Sequence, residues 1–327
     1  MYMSRCLLVL VSVIVLPGFA VADEAQQPPD PTMLDLKDRT AESFAALDLT
    51  QARFTDSLLR QSHFGNVVMT ESTFQRANLG QSIFDDVNLG AGKFNDVLMS
   101  RCSLSDVDLD GSVIVAGSMR ALRLQSTHMQ EAELDDVDMR GAEFENVDLQ
   151  DASFKGCNLR RASFDDCDFA EVQLLNIQDS PLLSLKSCKL NRSKWYDVLL
   201  DDASMERVTI KGLQASYLTV DELSLERSEL KDLKLRWCDL GDIECEQVEL
   251  RGLDFEYVEA PRGRWRNVEF DGGNFEGCDF KGSRFYRGSF EDCSFRNVDF
   301  SDVKLENCEI DGLVINGVRI DDLLEGR

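Results

Sequence analysis

The side chains able to do chemistry are few in kind and poorly placed to cooperate. The chain has two histidines, His63 and His128, and neither has a nucleophile or a ligand set at readable spacing. There is no serine–histidine arrangement and no glycine-rich phosphate loop. The ten cysteines contain no CxxC pair and no zinc spacing. Carboxylates abound, with 60 Asp plus Glu against 35 Lys plus Arg and a net charge of −25. Pairs of them arise from composition alone, so they are weak evidence for acid–base catalysis. The residues point away from an enzyme, and no metal or cofactor is implied.

The elements that position these residues follow from a five-residue grid. Beyond the first 22 residues the chain has 18 phenylalanines and all of them fall on it, at positions such as 44, 54, 64, 74, 84 and 94 and then 270, 275, 280, 285, 290, 295 and 300. Every fifth residue from Phe44 to Leu174 is apolar, and so is every fifth residue from Leu185 to Ile320, counting Ala215, Cys245 and Ala260. The register slips by one residue around Asp179, Ser180 and Pro181. A fixed short period over this length means a solenoid. Two residues before each of these centres the side chain is small or aliphatic, as at Ala132, Ala142, Val147, Cys157 and Ala162. Immediately before the centre, Asp or Asn recurs, as at Asn78, Asn88, Asp138 and Asn158.

The unit Ala-Asp/Asn-Leu/Phe-x-x, written out in Arg76-Ala77-Asn78-Leu79-Gly80, resembles the pentapeptide repeat family over roughly residues 41 to 320. The resemblance implies an all-β fold, a right-handed quadrilateral parallel β-helix with four pentapeptides per coil. That makes about 14 coils and, at ~4.8 Å per strand spacing, a rod about 65 Å long. A register slip is expected near 175–184, between stacks 41–174 and 185–320. Core volumes agree with one shared interior. Phe alternates with Leu or Met between Phe44 and Phe94, and large centres such as Trp265 and Phe275 have Gly263 and Gly273 two residues before them.

The N-terminus reads as a secretory signal. Arg5 gives a positive start, Cys6 to Leu16 is an apolar run, and Ala20-Val21-Ala22 is a cleavage motif. The run is too short to span a membrane as a helix. Cleavage after Ala22, a periplasmic or secreted location and no membrane span thereafter are expected. Residues 23–40 read as a linker and an N-terminal cap, with a short helix over 31–40, and 321–327 as a C-terminal tail. Beyond Cys6, eight cysteines lie two before a centre, where the thiol serves as a small apolar filler. Cys245 is itself a centre. Cys167 and Cys188 are one coil plus the inserted residue apart, which leaves open whether they pair.

Residues 20 apart stack in a coil of this kind, so outward columns can be read directly. Asp86, Asp106, Asn146 and Asp166 form one acidic column, and Asn88, Asp108, Asp148 and Asp168 its neighbour. They either hydrogen-bond their own turns or present a face to a cation or a basic partner. Tyr217, Trp237 and Tyr257 point outward two residues after their centres. They form a stack that stabilises the corner or a docking strip for a protein or glycan. A third column runs Glu244, Arg264, Arg284, Lys304, with Arg262 and Arg266 nearby. It is a solvated stripe or a local basic site.

The charge of −25 repels nucleic acid and anionic membranes and attracts basic partners. The expected function is a non-enzymatic exported scaffold or protein-binding module whose partner is an unidentified protein, with a homodimer through a β-helix end left open. The family also contains acidic rods that mimic DNA and bind DNA gyrase. The resemblance implies this alternative, with gyrase or another nucleic-acid-binding protein as target, and the signal segment argues against it. An enzyme acting on polysaccharide along a β-helix face would need a groove-forming insertion that the grid lacks.

Overall fold

The computed structural model describes residues 39–178 and 180–324. The expected signal segment, the linker and nearly all of the 31–40 cap lie outside them. Arg39 and Thr40 are described and are not helical. The Arg39 N–H already donates to the Leu58 carbonyl at 2.8 Å, so the first coil begins there.

The described chain is a parallel β-solenoid in which each strand pairs with the one a coil later. Phe44 lies opposite Phe64, which lies opposite Phe84. Two sheets form opposite faces. One runs from Ser43–Ala45 to Lys304–Glu306, the other from Arg53–Thr55 to Val314–Ile315. In the N-terminal part the two faces between them are held by single bridges such as Asp48 to Val68 and Leu58 to Asn78. C-terminal to the slip, eight-residue strands such as Lys194–Asp201, Gln214–Asp221 and Lys234–Gly241 carry pairing round a corner.

The backbone closes each corner in the left-handed region, with the residue two after each centre at positive φ, from Ala46 to Gly317. That conformation suits Gly, Asn and Asp best, which explains why these types recur there. Every centre from Phe54 to Phe295 that lies on the grid is buried. The Phe rings stack coil on coil, at 4.8 Å for Phe44–Phe64, 4.5 Å for Phe54–Phe74 and 4.9 Å for Phe74–Phe94. Phe thus lines both sheet faces, while Leu59, Met69, Leu79 and Met99 fill the bridged faces. The small inner residues are needed for space. A Cβ at Gly273 would lie 2.6 Å from the Phe275 ring, and one at Gly263 would collide with the Trp265 indole.

The slot two before the centre does more than fill space. There Ser and Cys side chains donate to a carbonyl of the preceding coil: Ser72 to Leu49 at 2.9 Å, Ser82 to Leu59 at 2.8 Å, Cys102 to Leu79 at 2.9 Å, Cys293 to Phe270 at 2.8 Å. Cysteine acts there as serine's weak-donor counterpart.

At the slip the ladder continues with an offset of one residue. Phe164 faces Leu185 and Leu174 faces Trp195, so the core runs on without a break. Ser180 occupies the centre position of the odd coil. It is fully buried, and its hydroxyl accepts the Leu159 N–H at 3.2 Å. A polar residue fits in the core because it takes up a backbone donor where the extra residue disturbs the ladder. A small apolar void lined by Phe154, Phe164, Phe169 and Trp195 lies beside it.

The last coil departs from the repeat. Val314–Ile315 pairs antiparallel with Val318–Arg319, and a short helix, Ile320–Leu324, follows. Ile315 keeps its register on Phe295, whereas Ile320 ends the grid by starting the helix.

Candidate functional site

The acidic columns are largely explained by the corners they occupy. Asp86, Asp106, Asn146 and Asp166 all sit at positive φ, between 53° and 55°. In the neighbouring column each acceptor caps its own turn. Asn88 accepts from the Gly90 N–H at 2.9 Å, Asp108 from Asp110 at 2.9 Å, Asp148 from Gln150 at 3.1 Å and Asp168 from Ala170 at 3.0 Å. Hydrogen bonds to their own turns account for Asn88, Asp108, Asp148 and Asp168, while the first column stands at the left-handed corners. Among the described residues no group of His, Cys, Asp and Glu could hold a metal ion. His128 belongs to this column, as the rung between Asp108 and Asp148. Asp110 sits beside it, its pKa raised by burial and partly offset by the Gln130 N–H it accepts. His63 is exposed on another coil, so the two histidines do not meet.

The nine described cysteines are free. Burial pushes the thiols of Cys102 and Cys278 up to about 11 and those of Cys157 and Cys293 up to about 12, which keeps them protonated at neutral pH. Cys167 and Cys188 stack across the slip as free thiols. Cys167 is pushed up by its hydrogen bond to Cys188 and by burial.

The aromatic column is real and longer than its spacing implies. Tyr217, Trp237 and Tyr257 are each about half exposed, at corners with φ of 57°, 50° and 56°. Their rings stack on one another, Tyr217 to Trp237 at 5.5 Å and Trp237 to Tyr257 at 6.3 Å. Tyr196 extends the stack by an edge contact to Tyr217 at 5.5 Å. The twenty-residue spacing misses it because Tyr196 follows its centre by one residue rather than two. Beyond Tyr257 the next corner is Gly277, over which the Tyr257 ring leans. A Cβ there would lie 2.7 Å from the ring. Since the rings face each other, solvent meets mainly their edges.

The basic column is in register as expected, Glu244 opposite Arg264, Arg264 opposite Arg284 and Arg284 opposite Lys304. It borders a groove of about 470 Å³ that Arg266, Tyr286 and Glu306 also line. Arg264 pairs with Glu244, Arg266 with Glu246 at 3.7 Å and Arg262 with Asp242 at 3.0 Å. Arg284 and Lys304 have no carboxylate partner among the described residues. A second basic column, Lys211, Lys231 and Arg251, escapes the sequence reading. Two of its cations, Lys231 and Arg251, are matched by a parallel column of Glu229, Glu249 and Glu269. Lys231 pairs with Glu229, and Arg251 with Glu269 at 3.0 Å.

Three pentapeptide repeat models match the chain: a pentapeptide repeat region over residues 127–215, nine repeat copies over 266–311 and eight over 48–86. With the stacked coils, these matches show that the chain belongs to the pentapeptide repeat family. No curated protein matches it. Among solved structures it is similar to HetL, a pentapeptide repeat protein involved in heterocyst differentiation regulation in Nostoc sp. strain PCC 7120. Identity is 13%, covering 86% of this chain and 92% of that one, with a TM-score of 0.23. It is also similar to QnrB1, a plasmid-mediated fluoroquinolone resistance protein, at 14% identity over 54% of this chain and 92% of that one, TM-score 0.27. A third is the mannuronan C-5 epimerase AlgE6 A-module of Azotobacter vinelandii, at 10% identity over 83% and 89%, TM-score 0.31.

Proposed function

We propose that the protein is a non-enzymatic, exported scaffold that binds a protein partner along the side of its rod. The aromatic column carries this reading. A corner in the left-handed region is best filled by Gly, Asn or Asp, and bulky rings are disfavoured there. Tyr217, Trp237 and Tyr257 nevertheless occupy three successive corners half exposed. A docking strip accounts for rings kept where the backbone disfavours them. Because the rings stack face to face, little face is left for a sugar to lie on, which favours a protein over a glycan. The partner is basic where it meets the flanking acidic surface.

The test uses the whole chain with its native N-terminus in a Gram-negative host, carrying a photoreactive residue at position 237. A product starting at Asp23, outside the cytoplasm and cross-linked to a discrete protein, is expected. A full-length cytoplasmic product would overturn export, and cross-linking that survives moving the probe to a distant corner would overturn the strip. The second reading, a DNA mimic that binds gyrase or another nucleic-acid-binding protein, is supported by the charge of −25 on a rod. Inhibition of gyrase supercoiling by the purified chain would favour it.

A further inference from the structure

We infer that the groove beside Arg264, Arg284 and Lys304 is a binding site for an acidic, extended peptide segment of a partner protein. The inference adds to the protein-binding reading a second surface, one that holds two unpaired cations in an acidic molecule.

Three observations carry it. The first is uncompensated charge. Arg284 and Lys304 stand on adjacent strands in register, ~4.8 Å apart, and neither makes an ion pair among the described residues, in a chain of charge −25. In the column Lys211, Lys231, Arg251 the same fold does pair two adjacent cations, Lys231 with Glu229 and Arg251 with Glu269. The second is shape. The column of Arg264, Arg284 and Lys304 borders a groove of about 470 Å³, within the size range of ligand sites. The third is the chemistry of the walls. Arginine guanidinium groups offer paired donors that match carboxylate oxygens. Glu244 and Glu246 at one end and Glu306 at the other bound the cationic stretch.

The length of that stretch suits a peptide. From Arg264 to Lys304 is two coil steps, about 10 Å, or about three residues of extended chain at ~3.4 Å each. Carboxylates on alternate residues would point to the same side, within reach of the long Arg and Lys side chains. A glycan would want an open ring face, and the groove offers none that is free. Arg287 sits over the Tyr286 ring, 5.0 Å from its centre, and Trp265 is buried. Nucleic acid is disfavoured by the surrounding negative field.

The experiment is fluorescence anisotropy of a labelled eight-residue peptide of alternating Glu and Ser, titrated with the whole chain. Saturable binding that weakens with added salt is expected. Arg284→Glu with Lys304→Glu should weaken it at least tenfold, while Lys211→Glu with Lys231→Glu should change it less than twofold. Melting curves of both double variants check that the solenoid is intact. No binding by the native chain, or equal loss in the two double variants, would overturn the inference. Tighter binding of polygalacturonate than of peptide, abolished by the same Arg284 and Lys304 changes, would also overturn it by making the groove a glycan site. None of these outcomes depends on the exported partner, so failure here leaves the aromatic strip to its own test.

Discussion

The molecule builds the same ladder of stacked rings twice, once inside and once outside. The inner Phe ladders between Phe44 and Phe94 repeat at 4.5 to 4.9 Å, with every ring except the partly buried Phe44 enclosed. The outer one, Tyr217 to Tyr257, repeats at 5.5 to 6.3 Å with each ring about half exposed. Both follow from the coil spacing, but their energetics differ. An inner ring is enclosed and removes its full apolar surface from water. An outer ring gains stacking of about 0.5–1.5 kcal/mol while sitting on a backbone that disfavours it. The inside therefore holds the fold, and the outside is free to vary for recognition.

The largest way to sharpen that contrast is to cut an inner rung. Phe74 is packed between Phe54 and Phe94, and Phe74→Ala should cost about 3–5 kcal/mol, because neighbouring coils fix the cavity and cannot close it. Chemical denaturation measures it. A loss below about 1 kcal/mol would mean that the Phe ladder is not what holds the core.

A smaller effect is expected from the surface charges. Asp138 is held down to about 2 by hydrogen bonds from Arg140 and Arg120, the second reaching across from the preceding coil. Its folded value lies below its ordinary 3.8, so its contribution is complete above that pH and disappears as pH falls toward about 2. The side chains are partly solvated, so the worth is about 1 kcal/mol or less. The stability difference between the native chain and Asp138→Asn should therefore be present at pH 6 and vanish near pH 2. A difference that persists at pH 2 would contradict the assignment.

Trp265 tests the inner ladder from the other side. Its indole N–H is buried and finds no partner, as is that of Trp195. An orphaned buried donor costs about 1–3 kcal/mol, comparable to the packing that a smaller ring would forfeit. Trp265→Phe should therefore leave stability within about 1 kcal/mol of the native chain, with the new ring stacked on Phe285, Trp265's neighbour. A loss of 3 kcal/mol or more would show that ring volume, not ring type, governs this rung.

Much of this was legible in advance, for a physical reason. A five-residue period places every centre inward, so one regularity specifies the core, the coil and the outward columns together. What stayed hidden breaks the period or needs depth. Ser180 is polar and falls in the gap between the two apolar runs, and its role shows only once its hydroxyl is seen to accept the Leu159 N–H. Tyr196 lies one position off its column. His128 looked isolated because its column was read by its carboxylates, although it stands between Asp108 and Asp148. The donors from cysteine are invisible in a sequence that treats the thiol as apolar. The groove beside Arg284 depends on side-chain packing across five strands, which a column of letters does not contain.

The smallest expected effect separates the two ladders most cleanly. Trp237 lies between Tyr217 and Tyr257, so Trp237→Asn removes two ring contacts. It also places at φ 50° a residue that tolerates the left-handed region well. Loss of stacking and relief of the backbone oppose each other at about 1 kcal/mol each, so the melting temperature should hardly move. If the rings are there for a partner, cross-linking or partner capture should nonetheless fall sharply in this variant. If instead stability falls by 2 kcal/mol or more while capture is unchanged, the outer ladder is a brace like the inner one, and the recognition surface must be sought on another column.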